Sequence, residues 1–217
     1  MSQAMWIMIF GDKLSNDRMQ SGIVFSVAGV DYVGLEEAKT DINWALGGFS
    51  EIRINKESLF FAFDFTIKSP LGARNLNNYF PEVISDSSFI KSQNISLRNT
   101  SLSLPLYLKY KTKHFGFGAG AQLNYIYKSK LKYDATTNDG RNILIEDQGK
   151  SYLNLFDVGA FIMAEVMVTP KHPTTSMRIG VRYYYGLLNT LKDFSGVHNS
   201  TIMVSLSIPI GGKEDVK

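Results

Sequence analysis

The chain has 217 residues, of which 44% are hydrophobic and 20% are charged, and its formal net charge is +3. It contains no cysteine, which excludes disulfide scaffolds, cysteine-ligated zinc sites and thiol catalysis. Its apolar runs fall far short of the about 20 residues that a membrane-spanning helix needs, and its balanced charge does not favour nucleic-acid binding. The remaining classes are a soluble globular domain and a membrane β-barrel.

Apolar and polar residues alternate with a period of two along most of the chain, which predicts β-strands. In the clearest case, residues 101–110, four leucines and Tyr110 share one face. Each predicted strand is long enough for the roughly 9–11 residues that a tilted strand uses to cross a bilayer. The eight predicted strands are, in chain order, 21–31, 41–54, 58–68, 101–110, 114–128, 152–168, 176–187 and 200–210.

The connections between these strands alternate in length. Long loops follow the odd-numbered strands, over residues 32–40, 69–99, 129–151 and 188–199. Short turns follow the even-numbered strands, over residues 55–57, 111–113 and 169–175. This asymmetry is typical of an up-and-down outer-membrane barrel, with short periplasmic turns and long external loops. We therefore predict an all-β, eight-stranded antiparallel transmembrane barrel with both termini in the periplasm.

The two faces of the predicted strands differ in chemistry. One face is long, apolar and nearly uncharged, as contact with hydrocarbon requires. The other face carries small residues and a nearly balanced set of charges, which we expect to pair in a narrow, closed interior because isolated buried charges are costly. The alternative is a soluble, lipocalin-like barrel that turns its apolar face inward around a small ligand. The predicted interior charges are Glu51, Arg53, Asp64, Lys68, Lys109, Asp157, Glu165, Arg178 and Arg182.

The barrel is expected to form one domain over residues 21–211, followed by a short tail at residues 212–217. Residues 1–20 are expected to form a periplasmic segment or a plug of the barrel. They lack the charged region and apolar stretch of a signal peptide. Because an outer-membrane protein needs a signal peptide for export, we expect the chain to be a mature form with an added start Met, or a truncated one.

Four short motifs carry a family resemblance. They are F-G-D-K at residues 10–13, L-S-L-P-L-Y-L-K-Y at 102–110, F-G-F-G-A-G-A-Q-L at 115–123 and R-Y-Y-Y-G-L at 182–187. Together they resemble the PorT-like outer-membrane β-barrel family of Bacteroidetes. The resemblance implies a barrel of the OmpX and OmpA type in a Gram-negative envelope, and a link to a secretion system. It implies no catalytic residues, because the family has no agreed catalytic motif.

Motifs for catalysis are weak. We expect no metal and no cofactor, because the three histidines lack a nearby ligand set. The strongest catalytic candidates are His198 and Ser200, which share a strand face and would act as base and nucleophile on a lipid acyl ester. The pair is similar to the His-x-Ser arrangement of outer-membrane lipid A deacylases, with Asp193 as a loose candidate for the orienting acid. A lipid-modifying hydrolase is therefore the alternative to a non-enzymatic role.

The long loops carry the leading functional hypothesis. Residues 69–99 include Tyr79, Phe80, Phe89 and Ile90, and exposed aromatic residues in a long loop suit contact with a protein partner. We therefore predict a non-enzymatic structural or accessory component of the envelope, whose external loops bind other surface or secretion proteins. The second long loop, at residues 129–151, is a further candidate.

Lipid is the other predicted partner. Lys128, Lys130 and Lys132 alternate with other residues where the fifth predicted strand passes into its loop, and they would meet the anionic phosphates of lipopolysaccharide at the external rim. An ordinary solvated strand tip explains the same pattern equally well. Eight strands enclose a space that side chains just fill, so an open diffusion pore is not expected.

Overall fold

The computed structural model describes residues 19–54, 58–80, 90–168 and 176–210. In these ranges the protein forms nine β-strands and one 3-10 turn at Gly149–Tyr152. None of the helices in these ranges is long and apolar enough to cross a membrane. The strands are β1 (Met19–Val33), β2 (Asp41–Arg53), β3 (Leu59–Arg74), β4 (Ile90–Lys111), β5 (Phe115–Thr137), β6 (Asn142–Gln148), β7 (Phe156–Met167), β8 (Arg178–Gly186) and β9 (His198–Ile210).

Eight of these strands form a closed antiparallel ring. Each pairs with the next in the order β1, β2, β3, β4, β5, β7, β8 and β9, and β9 then pairs with β1. Closure leaves no unpaired strand edge around the ring, as a sheet surrounded by lipid requires. The predicted eight-stranded up-and-down barrel is confirmed.

The apolar faces of the strands point outward, which excludes the soluble alternative with an inward apolar face. Each ring strand exposes large apolar side chains, such as Val27, Phe65, Leu108, Phe117 and Ile162. The buried side chains at the same levels are largely polar or charged. In a soluble barrel the apolar side chains point inward instead. Here the outward apolar side chains form a belt around the barrel, which we call the apolar belt.

The ring strands are longer than predicted at one end of the barrel, which we call the loop end. The segment expected to be a loop at residues 69–99 is largely strand, because Ser69–Arg74 of β3 pairs with Ser96–Ser101 of β4. The outward-facing residues of these two segments are polar and β3 contains Pro70, so the sequence does not show the alternation that predicts a strand. Leu71, Ala73, Ile95 and Leu97 are nevertheless all buried on the inner face.

The prediction of a loop at residues 129–151 is also wrong, because these residues form a hairpin. The first half of β5 pairs with β7, whereas Lys130–Thr136 pairs with β6. Strand β6 lies outside the ring and ends the sheet order as an edge strand. The first part of β4, the last part of β5 and the whole of β6 therefore project as a three-stranded sheet beyond the ring, which we call the projecting sheet.

Candidate functional site

A cluster of buried charges closes the barrel at the end opposite the loop end, which we call the turn end. Lys109 Nζ and Arg178 Nη1 each donate a hydrogen bond to Glu51 Oε1 at 2.6 Å, and Lys111 pairs with Glu51 Oε2. Lys109 Nζ also lies 2.6 Å from a carboxylate oxygen of Glu165. Three bases thus face two acids, all nearly inaccessible to solvent.

Lys111 is the member of this cluster that sequence reasoning missed. The sequence predicts a short turn at residues 111–113, but β4 runs through Lys111, whose side chain is buried. Its Nζ also donates a hydrogen bond to Gln20 Oε1 at 3.2 Å. The sequence signal was available, because Lys111 has the same parity as Lys109.

A second layer crosses the middle of the interior. Arg182 pairs with Asp64, and Tyr107 donates a hydrogen bond to Asp64 Oδ1 at 3.0 Å. The Arg182 guanidinium lies 4.6 Å from the centre of the Phe161 ring, which packs edge-on against Tyr107. Two aromatic rings and an ion pair therefore fill the cross-section at this level.

The third layer is polar but is not ion-paired. Asp157 accepts hydrogen bonds from the Tyr184 hydroxyl at 2.8 Å and from Asn199 Nδ2 at 2.7 Å. Tyr184 in turn accepts one from Asn124 Nδ2 at 2.9 Å. Asp157 forms no ion pair with any residue in the described ranges, so the expectation that every interior charge is ion-paired is wrong here. Hydroxyl and amide donors stabilise its carboxylate instead.

An apolar cluster closes the loop end above these layers. Phe80 is buried and packs edge-on against Tyr152, and Tyr79 packs edge-on against Phe194. Leu76, Leu153 and Leu191 fill the space between them. The predicted exposure of the loop aromatics is therefore wrong for Phe80. Ile90 also packs against this cluster, and Phe89 lies outside the described residues.

Two of the nine predicted interior charges do not lie in the interior. Arg53 is exposed at the turn end, with its guanidinium 5.5 Å from the centre of the Phe60 ring. Lys68 lies on the outer face, with its Nζ 3.0 Å from the centre of the exposed Trp44 ring. A β-bulge in β3 between Thr66 and Ser69 reverses which face Lys68 occupies.

The candidate catalytic pair is not assembled. Ser200 Oγ donates a hydrogen bond to the Tyr183 hydroxyl at 3.3 Å, and His198 Nδ1 lies 3.2 Å from the Leu188 carbonyl oxygen. The imidazole also packs against the Tyr185 ring. A base that activates a serine needs a hydrogen bond to its hydroxyl, and Asp193 is exposed in the loop before β9. In the described ranges, no group of three or more histidine and acidic residues could hold a metal ion.

Charge pairs stabilise the projecting sheet. Lys130 on β5 hydrogen-bonds Glu146 Oε2 on β6 at 2.6 Å, and Lys132 lies 2.6 Å from Glu146 Oε1. Hydrogen bonds from Lys130 and Lys132 lower the pKa of Glu146 from its ordinary value of 4.5 to about 2. Glu146 on β6 therefore partly neutralises the charges of Lys130 and Lys132 on β5.

The comparison with known families decides the class of this barrel. Residues 13–192 match the family described as outer membrane protein beta-barrel domain. The chain belongs to this family. The matched region contains seven of the eight ring strands, from β1 to β8. The apolar belt of this outer membrane protein is accordingly its surface toward the outer-membrane lipid.

Solved structures of outer-membrane barrels are similar to the chain at low identity. The attachment invasion locus protein Ail of Yersinia pestis, solved with the heparin analogue sucrose octasulfate, is 11% identical with a TM-score of 0.45; the match covers 89% of this chain and 99% of Ail. Neisserial surface protein A is 15% identical with a TM-score of 0.42, with coverages of 87% and 96%. OprG of Pseudomonas aeruginosa is 9% identical with a TM-score of 0.33, covering 88% and 91%. No curated protein sequence matches the chain.

Proposed function

We propose that this outer-membrane protein is a non-enzymatic accessory component of the envelope that binds another envelope protein through the edge of its projecting sheet. The observation that carries the proposal is the exposure of β6. All seven of its residues are exposed, although it is regular strand along its whole length. Among the strands of the described ranges only β5 pairs with it, so no described strand covers its other edge.

The side chains of β6 suit strand addition by a partner. Ile143, Leu144 and Ile145 are consecutive and are 38%, 59% and 44% exposed. Proteins usually protect such edges with charges, prolines or bulges, because a free apolar edge pairs with other chains. A partner strand would gain main-chain hydrogen bonds from the edge and specificity from the alternating side chains. We therefore propose that the partner binds the hairpin of the second long loop. The predicted contact residues Tyr79 and Phe80 close the barrel instead.

The orientation of the barrel is part of this proposal. The connection from β4 to β5 at the turn end is short, whereas the loop end carries the projecting sheet. Short turns on the periplasmic side and long excursions outside are the usual arrangement. We therefore assign the loop end to the cell exterior and both termini to the periplasm. The motif resemblance at residues 102–110 and 115–123 supports a PorT-like member from Bacteroidetes with a secretion-linked partner.

The test compares two matched substitutions at the loop end. Ile145 on β6 and Leu188 after β8 are 44% and 45% exposed, but only Ile145 lies on the free edge. Ile145→Lys places a charge where a partner strand would pair, whereas Leu188→Lys adds the same charge elsewhere. The measurement is quantitative co-purification from the outer membrane of the source organism, with heat-dependent gel mobility to verify the barrel.

We expect at least one envelope protein to be recovered with the wild type and with Leu188→Lys, but to be lost with Ile145→Lys. Equal recovery with all three proteins would contradict binding at the β6 edge. An equal loss with both lysine variants would also contradict it, because the effect would then follow added charge rather than the position on the sheet.

A further inference from the structure

Two β-bulges lie close to the same level of the barrel wall. In β3 one extra residue falls between Thr66 and Ser69, whose partners on β4 are Ser103 and Ser101. In β5 the extra residue is Tyr127, because Ser101 pairs with Ile126 and Thr100 with Lys128. Both bulges thus oppose β4 near Ser101, from its two sides.

Each bulge turns a lysine toward the outside of the barrel. Tyr127 and Lys128 are consecutive and both exposed, after which Ser129 is buried. Likewise Ile67 is exposed and Lys68 partly exposed, after which Ser69 is fully buried. Lys68 therefore joins Lys128 on the outer surface, contrary to the alternation that predicted it inside.

A side-chain hydrogen bond connects the two bulges. The Tyr127 hydroxyl on β5 donates to the Ile67 carbonyl oxygen on β3 at 3.1 Å. Because β4 lies between these strands, the Tyr127 ring crosses the outer face of β4. This bond brings the two bulges together, and Lys68 directly follows Ile67 as Lys128 directly follows Tyr127.

Neither of these lysines is neutralised by a carboxylate of the described residues. Lys130 and Lys132 are paired with Glu146, whereas within the described ranges Lys68 and Lys128 form no ion pair. Lys68 instead contacts the ring of Trp44. Lys128 also lines an open groove, whose other charged residues are Lys130, Glu146, Asp147 and Lys150. Two adjacent unpaired cations on a membrane protein attract an anion.

The position of Lys68 and Lys128 relative to the membrane indicates which kind of anion they bind. Lys68 is the tenth residue of β3, which starts at Leu59 at the turn end, so the segment below it matches the roughly 9–11 residues of a membrane-crossing strand. Apolar belt residues lie on the same strand and on its two neighbours, including Phe65 on β3, Trp44 on β2 and Leu102 on β4. The lysine pair thus sits where the apolar belt meets the headgroup layer, within reach of a lipid phosphate above the acyl chains.

We propose that Lys68 and Lys128 bind a phosphate group of a phosphorylated glycolipid in the outer leaflet, with the acyl chains of that lipid against the belt below. Lys128 and Lys68 would supply charge-assisted hydrogen bonds from two sides of the phosphate. Trp44 and Tyr127 would provide the flat apolar surface between them. This inference rests on the proposed external orientation of the loop end, but not on partner binding by β6.

Trp44 provides a direct report on the site. The chain has two tryptophans, Trp6 and Trp44, so Trp6→Phe leaves Trp44 as the only tryptophan, which can be excited selectively over tyrosine. A phosphate that draws Lys68 away from the ring is expected to change its fluorescence. The full-length protein, folded in detergent micelles, is titrated with four probes: phosphorylated lipid A, dephosphorylated lipid A, phosphatidylglycerol and inorganic phosphate. Native mass spectrometry measures the same binding in the lysine variants.

We expect phosphorylated lipid A to bind at least tenfold more tightly than the dephosphorylated form and than phosphatidylglycerol. Lys68→Gln and Lys128→Gln should each weaken that binding about tenfold, as loss of a charged hydrogen bond does. The control is Lys113→Gln, which removes an exposed lysine at the turn end and should leave binding unchanged.

Four results would overturn the proposal. Equal affinity for the dephosphorylated lipid would show that no phosphate is recognised. Equally tight binding of inorganic phosphate would identify a free-anion site rather than a lipid site. Tighter binding of phosphatidylglycerol would place the lysine pair against a glycerophospholipid leaflet and reverse the orientation. An equal effect of Lys113→Gln would attribute binding to net charge. None of these outcomes depends on whether Ile145→Lys loses a protein partner.

Discussion

Arg178 on β8 and Glu51 on β2 meet across the barrel interior at 2.6 Å, although they are 127 positions apart in the chain. Both side chains are almost completely buried. Glu51 also pairs with Lys109 and Lys111 on β4, so a single carboxylate contacts bases from two other strands. The turn end of the barrel is therefore stabilised mainly by electrostatic contacts rather than by an apolar core.

The first prediction concerns the loss of this carboxylate. Glu51→Gln leaves three buried bases facing Glu165 alone, and breaking a buried charge pair costs about 3–5 kcal/mol. We expect the temperature at which the folded band converts on a gel to fall markedly. Glu36→Gln, an exposed glutamate in the loop after β1, should change it little. Equal conversion temperatures for the two variants would show that the cluster does not stabilise the barrel.

The second prediction compares two glycines with positive φ. Gly72 has a φ of +130°, and a Cβ there would lie 2.0 Å from the Leu97 carbonyl oxygen on β4. Gly140 in the hairpin turn has a φ of +84°, and a Cβ there would meet nothing within 4 Å. Gly140→Ala should cost about 1–2 kcal/mol from backbone strain, whereas Gly72→Ala should cost more because it adds a clash. Urea unfolding in micelles measures both, and equal costs would contradict the close approach of β3 and β4.

The third prediction concerns permeability. Three filled interior layers and the apolar cluster at the loop end separate the two sides of the barrel. We therefore expect no stepwise ion conductance from the purified protein in planar bilayers, with an open porin as the positive control. Tyr107→Ala should also remain closed, because the Glu51 cluster lies below it and Asp157 with its partners lies above. Stable conductance steps from the wild type would show that these layers open.

The fourth prediction concerns pH. The pKa of Glu146 is lowered to about 2 by Lys130 and Lys132, below its ordinary value of 4.5. A lowered folded-state pKa stabilises the folded form above pH 4.5, and this contribution is lost as the pH falls from about 4.5 to about 2. We expect backbone hydrogen-exchange protection in the β5–β6 hairpin to fall across that window. Glu146→Gln should remove the pH dependence; protection that still changes in this variant would point to another group.

The fifth prediction concerns the hydrolase alternative. Because Ser200 hydrogen-bonds Tyr183 rather than His198, it lacks the base that a nucleophilic serine needs. Ser200→Ala should therefore leave the acylation pattern of lipid A in the source organism unchanged. Mass spectrometry of extracted lipid A checks this. An additional acyl chain that appears only in the variant would restore the enzymatic interpretation.

The sequence by itself determined the properties that depend on the solvent preference of each residue. Alternation with a period of two assigned eight strands, their outward apolar faces and most of the interior charges, because successive side chains in a strand point to opposite sides. The parity of Glu51, Lys109 and Arg178 placed them in the interior without any knowledge of their partners. The same reasoning could have included Lys111, had the fourth strand been extended by one residue.

Only the tertiary structure decided where this alternation shifts. The bulges at Lys68 and Tyr127 reverse the faces of β3 and β5, and no residue type in the sequence marks an extra residue in the ladder. Phe80 is likewise buried because it meets Tyr152 from a distant loop. Register, bulges and loop packing depend on contacts between segments far apart in the chain, whereas a local pattern reports only how each residue partitions between water, lipid and the protein interior.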